Sequence, residues 1–147
     1  MIDLINECDE QLAKELEIIE NKIFGTAWPY QTIQCKINNQ EFKYWTYKKD
    51  EKIVAYLGIH FVNDFIEVLG IGVIEKYRKN GIAKNLMNEF IEYFNTSMHQ
   101  KILLEVRESN SKAKNLYTNF GFRQISKRKN YYKTEDADIY LKEKIYV

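Results

Sequence analysis

The chain has 147 residues, 45% of them apolar and 29% charged, with a single proline, the profile of one self-sufficient folded domain and not of a disordered tract. Its 22 basic and 21 acidic side chains leave a net charge of +1, so no global field favours nucleic acid or an anionic membrane, and any anion site must be local. No apolar run approaches the roughly 20 residues of a spanning helix, and the start MIDLINECDE is acidic, unlike a leader peptide, so a cytoplasmic protein is expected. Cys8 and Cys35 have no metal-ligand spacing, and His60 and His99 are isolated, so neither a metal centre nor a histidine-centred triad is predicted.

After a short apolar start at Ile2 and Leu4, Leu12, Leu16, Ile19 and Ile23 recur at helical spacing, predicting a helix from Asp9, its N-cap, to Phe24. The loop GTAWPY ends it, and a second helix is expected from about Gln31 to Ile37. KYWTYK, KIVAYLGIHF and FIEVLGIGVI follow, separated by the turns KDE and VND, an antiparallel meander. The next segment places Ile82, Ala83, Leu86, Met87, Phe90, Ile91 and Phe94 on one face and Lys84, Asn85, Asn88, Glu89 and Glu92 on the other, an amphipathic helix. KILLEV reads as a strand, SNSKAKNLYTNFG as a helix closed by Gly121, and FRQISKRKNYY and DIYLKEKIYV as two more strands. The strand-helix-strand unit around residues 65–106 requires a parallel pair. The expected fold is α/β, a mixed and mostly antiparallel sheet of six to seven strands flanked by about four helices in one domain spanning 1–147.

The turn YRKNGIA is the first place where chemistry is legible. A strand ending near Val73, then Arg78 and Gly81, then a helix from about Ile82 leaves the first amides of that helix unpaired. Such amides form an anion site, to which Lys76, Arg78 and Lys79 add charge, and a pyrophosphate suits it. Taken alone, a glycine chosen for turn geometry beside solvated lysines accounts for the same letters. Neither G-x-x-x-x-G-K-[ST] nor G-x-G-x-x-G is present, which counts against nucleotide hydrolysis and dinucleotide binding.

The run VLGIGVIEKYRKNGIAKNLM, with R-x-x-G-x-A at Arg78, Gly81 and Ala83, resembles the acetyl-coenzyme A motif of the GNAT superfamily of N-acetyltransferases. LLEVRESNSKAKNLYTNFGF resembles the second cofactor segment of the same superfamily. With the tail KRKNYYKTEDADIYLK, the chain is most similar to its branch of ribosomal-protein N-terminal alanine acetyltransferases. Ile74 and Glu75 stand where that branch has an acidic residue and a proline, and Ala83 where it often has glycine.

The resemblance implies acetyl-CoA as cofactor and an N-terminal peptide, that of small-subunit ribosomal protein eighteen, as acceptor; the alternatives are another amine (a polyamine, an antibiotic or a lysine side chain) or a non-catalytic acyl-CoA-binding module. A monomer or weak dimer that contacts no nucleic acid or membrane is expected. It implies that Arg78, Lys79, Asn80, Gly81, Ile82 and Ala83 hold the cofactor pyrophosphate. It also implies that the preceding strand splays from its parallel neighbour, freeing the main chain of Ile71 and Val73 for the pantetheine and thioester. Gly70 and Gly72 suit such an irregularity, and a fixed N–H there would act as an oxyanion donor.

An α-amine with a pKa of about 7.7 to 8.0 needs only a modest base. In KILLEVR, alternation sets Leu103, Glu105 and Arg107 on one face and Ile102, Leu104 and Val106 on the other. A carboxylate among apolar neighbours there could act as base, directly or through a water, and an ordinary solvated glutamate fits the same pattern. Glu105 matches the base of the resembling branch, and Tyr117 its general acid, a phenol that is protonated at neutral pH. Asn110, by position a helix cap, is by resemblance a ligand of the pantetheine arm. Trp28, Tyr131 and Tyr132 correspond to loops flanking the peptide groove, although core or dimer packing would use the same aromatic residues. Glu41, Asp64, Glu67 and Asp138 are equal candidates to meet a basic acceptor.

Overall fold

Asp9 opens the first helix by accepting from the Leu12 N–H at 2.8 Å, and Gly25, at φ 73°, closes it in the left-handed conformation that glycine adopts without strain. This computed structural model describes residues 1–144. The elements run β1 (Ile2–Ile5), α1 (Glu10–Phe24), α2 (Tyr30–Asn38), β2 (Phe42–Lys49), β3 (Lys52–Val62), β4 (Phe65–Val73), α3 (Ile82–Thr96), β5 (Lys101–Arg107), α4 (Ser111–Asn119), β6 (Arg123–Tyr132) and β7 (Glu135–Glu143). A single 3-10 turn, Glu75–Tyr77, precedes α3. Residues 145–147 of the last predicted strand lie outside the described residues.

The strands form one seven-stranded sheet in the order β1-β2-β3-β4-β5-β7-β6, antiparallel except between β4 and β5. Two apolar layers sandwich it. On one face α3 and α4 bury Leu86, Met87, Phe90, Phe94 and Tyr117 against Leu57, Ile59, Ile66, Ile102, Leu104 and Val106. On the other face, α1 and α2 bury Leu16, Ile19, Ile33 and Ile37 against Phe42, Tyr44 and Tyr56. Fully buried rings such as Phe90 and Phe94 each contribute about 3 to 5 kcal/mol when judged by truncation to alanine.

The centre of the sheet is irregular. Gly58 pairs with Gly70 and Ile59 with Val68, which leaves Leu69 as an extra residue bulging from β4. The bulge shifts the face parity by one. Ile66 and Val68 pack on the α3 side before it, and Ile71 and Val73 do so after it, while Leu69 turns to the α1 layer. Beyond that point β4 loses its parallel neighbour, because its pairing with β5 consists of Phe65↔Lys101, Ile66↔Ile102 and Glu67↔Leu103 alone. β5 goes on to pair with β7 as far as Arg107. The two central strands therefore open into a wedge.

Gly70 and Gly72 serve a purpose that their sequence context does not reveal. A Cβ on Gly72 would lie 2.7 Å from Ile23 Cγ2, and one on Gly70 would lie 3.0 Å from the Tyr56 hydroxyl. They let the last turn of α1 lie directly on β4, beside the wedge.

Candidate active site

The strand edge at the wedge is the first component. The Ile74 N–H donates to the Val54 carbonyl at 2.9 Å, and Gly72 stands opposite Tyr56 in the same ladder. Antiparallel alternation then points the N–H and C=O of Gly72 at β3, and those of Ile71 and Val73 at the opposite edge. That edge is the one β5 has left. The Val73 carbonyl accepts from Arg78 Nε at 2.9 Å, so the Arg78 side chain braces the strand end, with its remaining guanidinium N–H groups available to a ligand.

The helix terminus is the second component. Gly81 is the N-cap of α3 at φ 76°, with no side chain capping the helix, and the first helical bond runs from Asn85 N–H to the Gly81 carbonyl. The amides of Ile82, Ala83 and Lys84 are left without intrahelical partners. A Cβ on Gly81 would meet no protein atom within 4 Å. What requires glycine is the positive φ, and the ground before it is open. Lys79, also at positive φ (68°), is exposed in the turn, and the Asn80 amide donates to the Tyr77 carbonyl at 3.1 Å, holding the turn in shape. Open amides, a free strand edge and local cations fit a diphosphate with an extended arm.

The catalytic candidates lie on opposite faces of the sheet. Burial on β5 alternates with Ile102, Leu104 and Val106 inward, so Glu105 faces away from α3 and α4. Its surroundings are not apolar as expected: Glu105 Oε1 accepts from Arg128 Nη1 at 2.6 Å. Tyr117 projects from α4 into the α3 layer, 6% exposed, against Phe122 and Tyr140. Burial, and then the neighbouring Tyr132, push its phenol above the usual range, so it stays protonated. Burial also raises Tyr132, and Glu105 raises it further. Tyr132 thus stands within electrostatic reach of both candidates.

The remaining predicted residues divide. Asn110 caps α4, accepting from the Ala113 N–H at 3.1 Å, which leaves its side-chain N–H groups available. Tyr131 and Tyr132 meet edge to face at 5.1 Å on the β6–β7 hairpin. Trp28 belongs to the α1–α2 loop and rests on Phe42 at 5.9 Å. Of the four acidic candidates, Glu67 shares the sheet face of Leu103, with which it is paired, and therefore that of Glu105. Asp138 is buried on the opposite face, bound by Lys114 at 2.5 Å and Lys127 at 3.4 Å, and cannot meet an acceptor. Glu41 is paired with Lys36 at 3.5 Å beyond α2, and Asp64 lies in the β3–β4 turn, at the closed end of the wedge.

Three residues at the site escaped the sequence reading. Phe24, 52% exposed, sets its ring over Gly72 and edge-on to Tyr56. The Tyr56 phenol is raised by burial, then by the charge of Glu20 and by Tyr117. Glu20 is buried beneath, accepting from the Tyr44 hydroxyl at 3.1 Å. Its position four residues after Leu16 on the apolar stripe of α1 was the available signal.

Comparison with known proteins fits this arrangement. Residues 8–122 match the acetyltransferase (GNAT) family. The [ribosomal protein bS18]-alanine N-acetyltransferase of Haemophilus ducreyi is 31% identical over 136 residues, 91% of this chain and 92% of that protein. N-alpha-acetyltransferase RimI of Mycobacterium tuberculosis is 27% identical, covering 95% of this chain and 88% of its own. Among solved structures, the Escherichia coli ribosomal-protein-S18-alanine N-acetyltransferase superposes with a TM-score of 0.81 at 23% identity, over 100% of both chains. Arabidopsis thaliana NAA60 in complex with acetyl-CoA superposes with a TM-score of 0.79 at 21% identity, over 97% of this chain and 98% of that one.

Proposed function

The chain belongs to the acetyltransferase (GNAT) family, and on that premise we propose that it acetylates the N-terminal alanine of ribosomal protein bS18. It is an acetyl-CoA-dependent N-acetyltransferase. The acceptor follows from what its relatives of about 30% identity are named for, in Haemophilus ducreyi and in Haemophilus influenzae. The single observation that carries the reading is the wedge, whose free strand edge runs beside the open amides of α3; Glu105 on β5 and Tyr117 on α4 are the residues to which this reading gives the chemistry.

In this reading the N–H groups of Ile82, Ala83 and Lys84 hold the diphosphate, with Arg78, Lys79 and Asn80 around it. The main chain of Ile71 and Val73 pairs with the extended arm, and a fixed N–H on that edge stabilises charge that develops on the carbonyl oxygen. Bound acetyl-CoA supplies an acyl thioester already activated toward an amine. Glu105 accepts the proton of the acceptor amine at a carboxylate oxygen. The Tyr117 hydroxyl donates its proton to the departing sulfur, and burial keeps that proton in place until it is needed. Cys8 is buried, and burial, with Asp9 beside it, raises its thiol to about 11, so direct transfer to the amine is favoured over a covalent enzyme intermediate. Phe24, Tyr131 and Tyr132, with Trp28 on the outer loop, supply aromatic walls for the peptide.

No helix among the described residues is long and apolar enough to cross a membrane, and free thiols suit the reducing cytoplasm, where ribosomal proteins are made. The test is incubation of the purified protein with acetyl-CoA and the bS18 N-terminal peptide, in competition with a polyamine and an internal-lysine peptide. Mass spectrometry should find one acetyl group on the alanine amine. Preferential acetylation of either competitor would refute this acceptor.

A further inference from the structure

The proposed base is not free. One oxygen of Glu105 is held by the Arg128 guanidinium at 2.6 Å, and that guanidinium also lies 4.4 Å from the centre of the Tyr131 ring. Register places all the parties on one face of the sheet. Glu105 pairs with Ile139, Arg128 with Ala137, and Glu67 with Leu103, so the face of β4, β5 and β6 beside the wedge carries two carboxylates and Arg128. Both carboxylates act on Arg128, Glu105 first and Glu67 more weakly.

Arg107, the other guanidinium of this region, is committed elsewhere. It stacks 4.0 Å from the centre of the Tyr132 ring and pairs with Glu135 at 3.3 Å. Glu135 is itself fixed by the Ser109 N–H and hydroxyl, both at 3.0 Å. Arg128 is tied only to Glu105 and Tyr131 among the described residues, and its side chain is half exposed. An exposed ion pair of this kind is a weak tie.

A carboxylate oxygen that accepts from a guanidinium at hydrogen-bond distance cannot also receive an amine proton along that direction. The acceptor brings a cation of its own, the α-ammonium group, to the same carboxylate. We infer that Arg128 is a positioning residue that takes the place of the acceptor ammonium on Glu105 until the peptide arrives, and then exchanges toward Glu67. The inference rests on the reading of Glu105 as the group that meets the acceptor amine. It makes Arg128 an internal competitor for the substrate, tuning which N-termini enter: only an acceptor with a free cationic amine replaces what it displaces.

The test is calorimetric titration, with coenzyme A present, of two peptides into the wild type, Arg128→Gln and Arg128→Lys. One peptide begins with alanine bearing its free amine, and the other is identical but lacks the amine. Arg128→Gln should bind the free-amine peptide roughly two- to fivefold more tightly than the wild type does and the des-amino peptide equally well, as removal of a weak competing pair requires. Arg128→Lys, which keeps the charge, should behave as the wild type. Binding of the free-amine peptide that is unchanged or weaker in Arg128→Gln, or a shift common to both peptides, would overturn the inference. Turnover of Glu105→Gln separates the two claims. If that variant is slow while Arg128→Gln binds as the wild type, only the role of Arg128 fails; if it turns over at the wild-type rate, the assignment of the base fails as well.

Discussion

Tyr117 is a buried phenol whose ring packs in the core against Phe122 and Tyr140, so packing and chemistry can be separated by a single atom. Tyr117→Phe keeps the contacts with Phe122 and Tyr140 and should melt within about 1 kcal/mol of the wild type. Its kcat should fall by about 10²-fold, the scale of general acid catalysis, with the Kd for acetyl-CoA unchanged. Steady-state kinetics beside titration calorimetry would check this, and an unchanged kcat would remove Tyr117 from the reaction. Glu20 yields a prediction about stability. Burial raises its carboxyl to about 7, against the downward pull of the Tyr44 hydrogen bond and with help from Glu17. A carboxyl raised from an unfolded value of about 4.3 binds its proton more tightly in the folded chain. The stability it contributes is therefore fully present below that value and is lost as pH rises through about 7. Glu20→Gln should flatten this slope and be the more stable protein above neutrality by about 2 to 3 kcal/mol. Urea denaturation on both sides of neutrality measures it, and parallel pH dependence in the two proteins would contradict it.

At the scale of elements, two contacts set the helices that build the site. Gly81 holds φ 76° at the start of α3, so Gly81→Val strains the backbone by about 1 to 2 kcal/mol and sets a branched side chain on the open ground before the amides. The Kd for acetyl-CoA should rise at least about tenfold, more than the loss in stability alone would suggest; calorimetry showing unchanged affinity would move the diphosphate elsewhere. α4, which carries Tyr117, is tied to β7 through Asp138. Burial pushes that carboxyl up, but the hydrogen bond and charge of Lys114, joined by Lys127, outweigh it and hold the group below the usual range. A depressed carboxyl contributes stability above its unfolded pKa, and that stability is lost as pH falls through the folded value. Asp138→Asn should lower stability at neutral pH by about 1 to 3 kcal/mol, because it leaves Lys114 without its buried partner, and should blunt the loss on acidification. Thermal melts across the acid range would show both effects, and a wild-type melting curve at neutral pH would count against the tie.

At the scale of the whole molecule, periodicity carried most of the fold. The stripe Leu12, Leu16, Ile19, Ile23, the amphipathic segment after Gly81 and the alternation of KILLEVR each appear in the structure as read, and the parallel pair followed from the strand-helix-strand order. The bulge at Leu69 was legible in principle, since Ile66 and Val68 are followed by Ile71 and Val73 with the parity reversed. Period-two reading misses such a slip unless both faces of the strand are already known. Partners distant in sequence were not legible. Nothing in the letters joins Glu105 to Arg128, Asp138 to Lys114, or Gly72 to Ile23, because each pair meets only once the strand order is set. The candidate site divided along the same line. Its local parts, the glycine turn and the free strand edge, could be anticipated from residues and resemblance, while the ion pair that covers Glu105 could not.

The central claim is that the amides of α3 and the free edge of β4 together hold acetyl-CoA in the wedge. A crystal structure with coenzyme A bound tests it most directly. The account predicts diphosphate oxygens within hydrogen-bond distance of the Ile82, Ala83 and Lys84 amides, and the arm paired with Ile71 and Val73 so that the sulfur lies beside the Tyr117 hydroxyl. A diphosphate bound away from that helix terminus, or a sulfur outside the gap between β4 and β5, would contradict it.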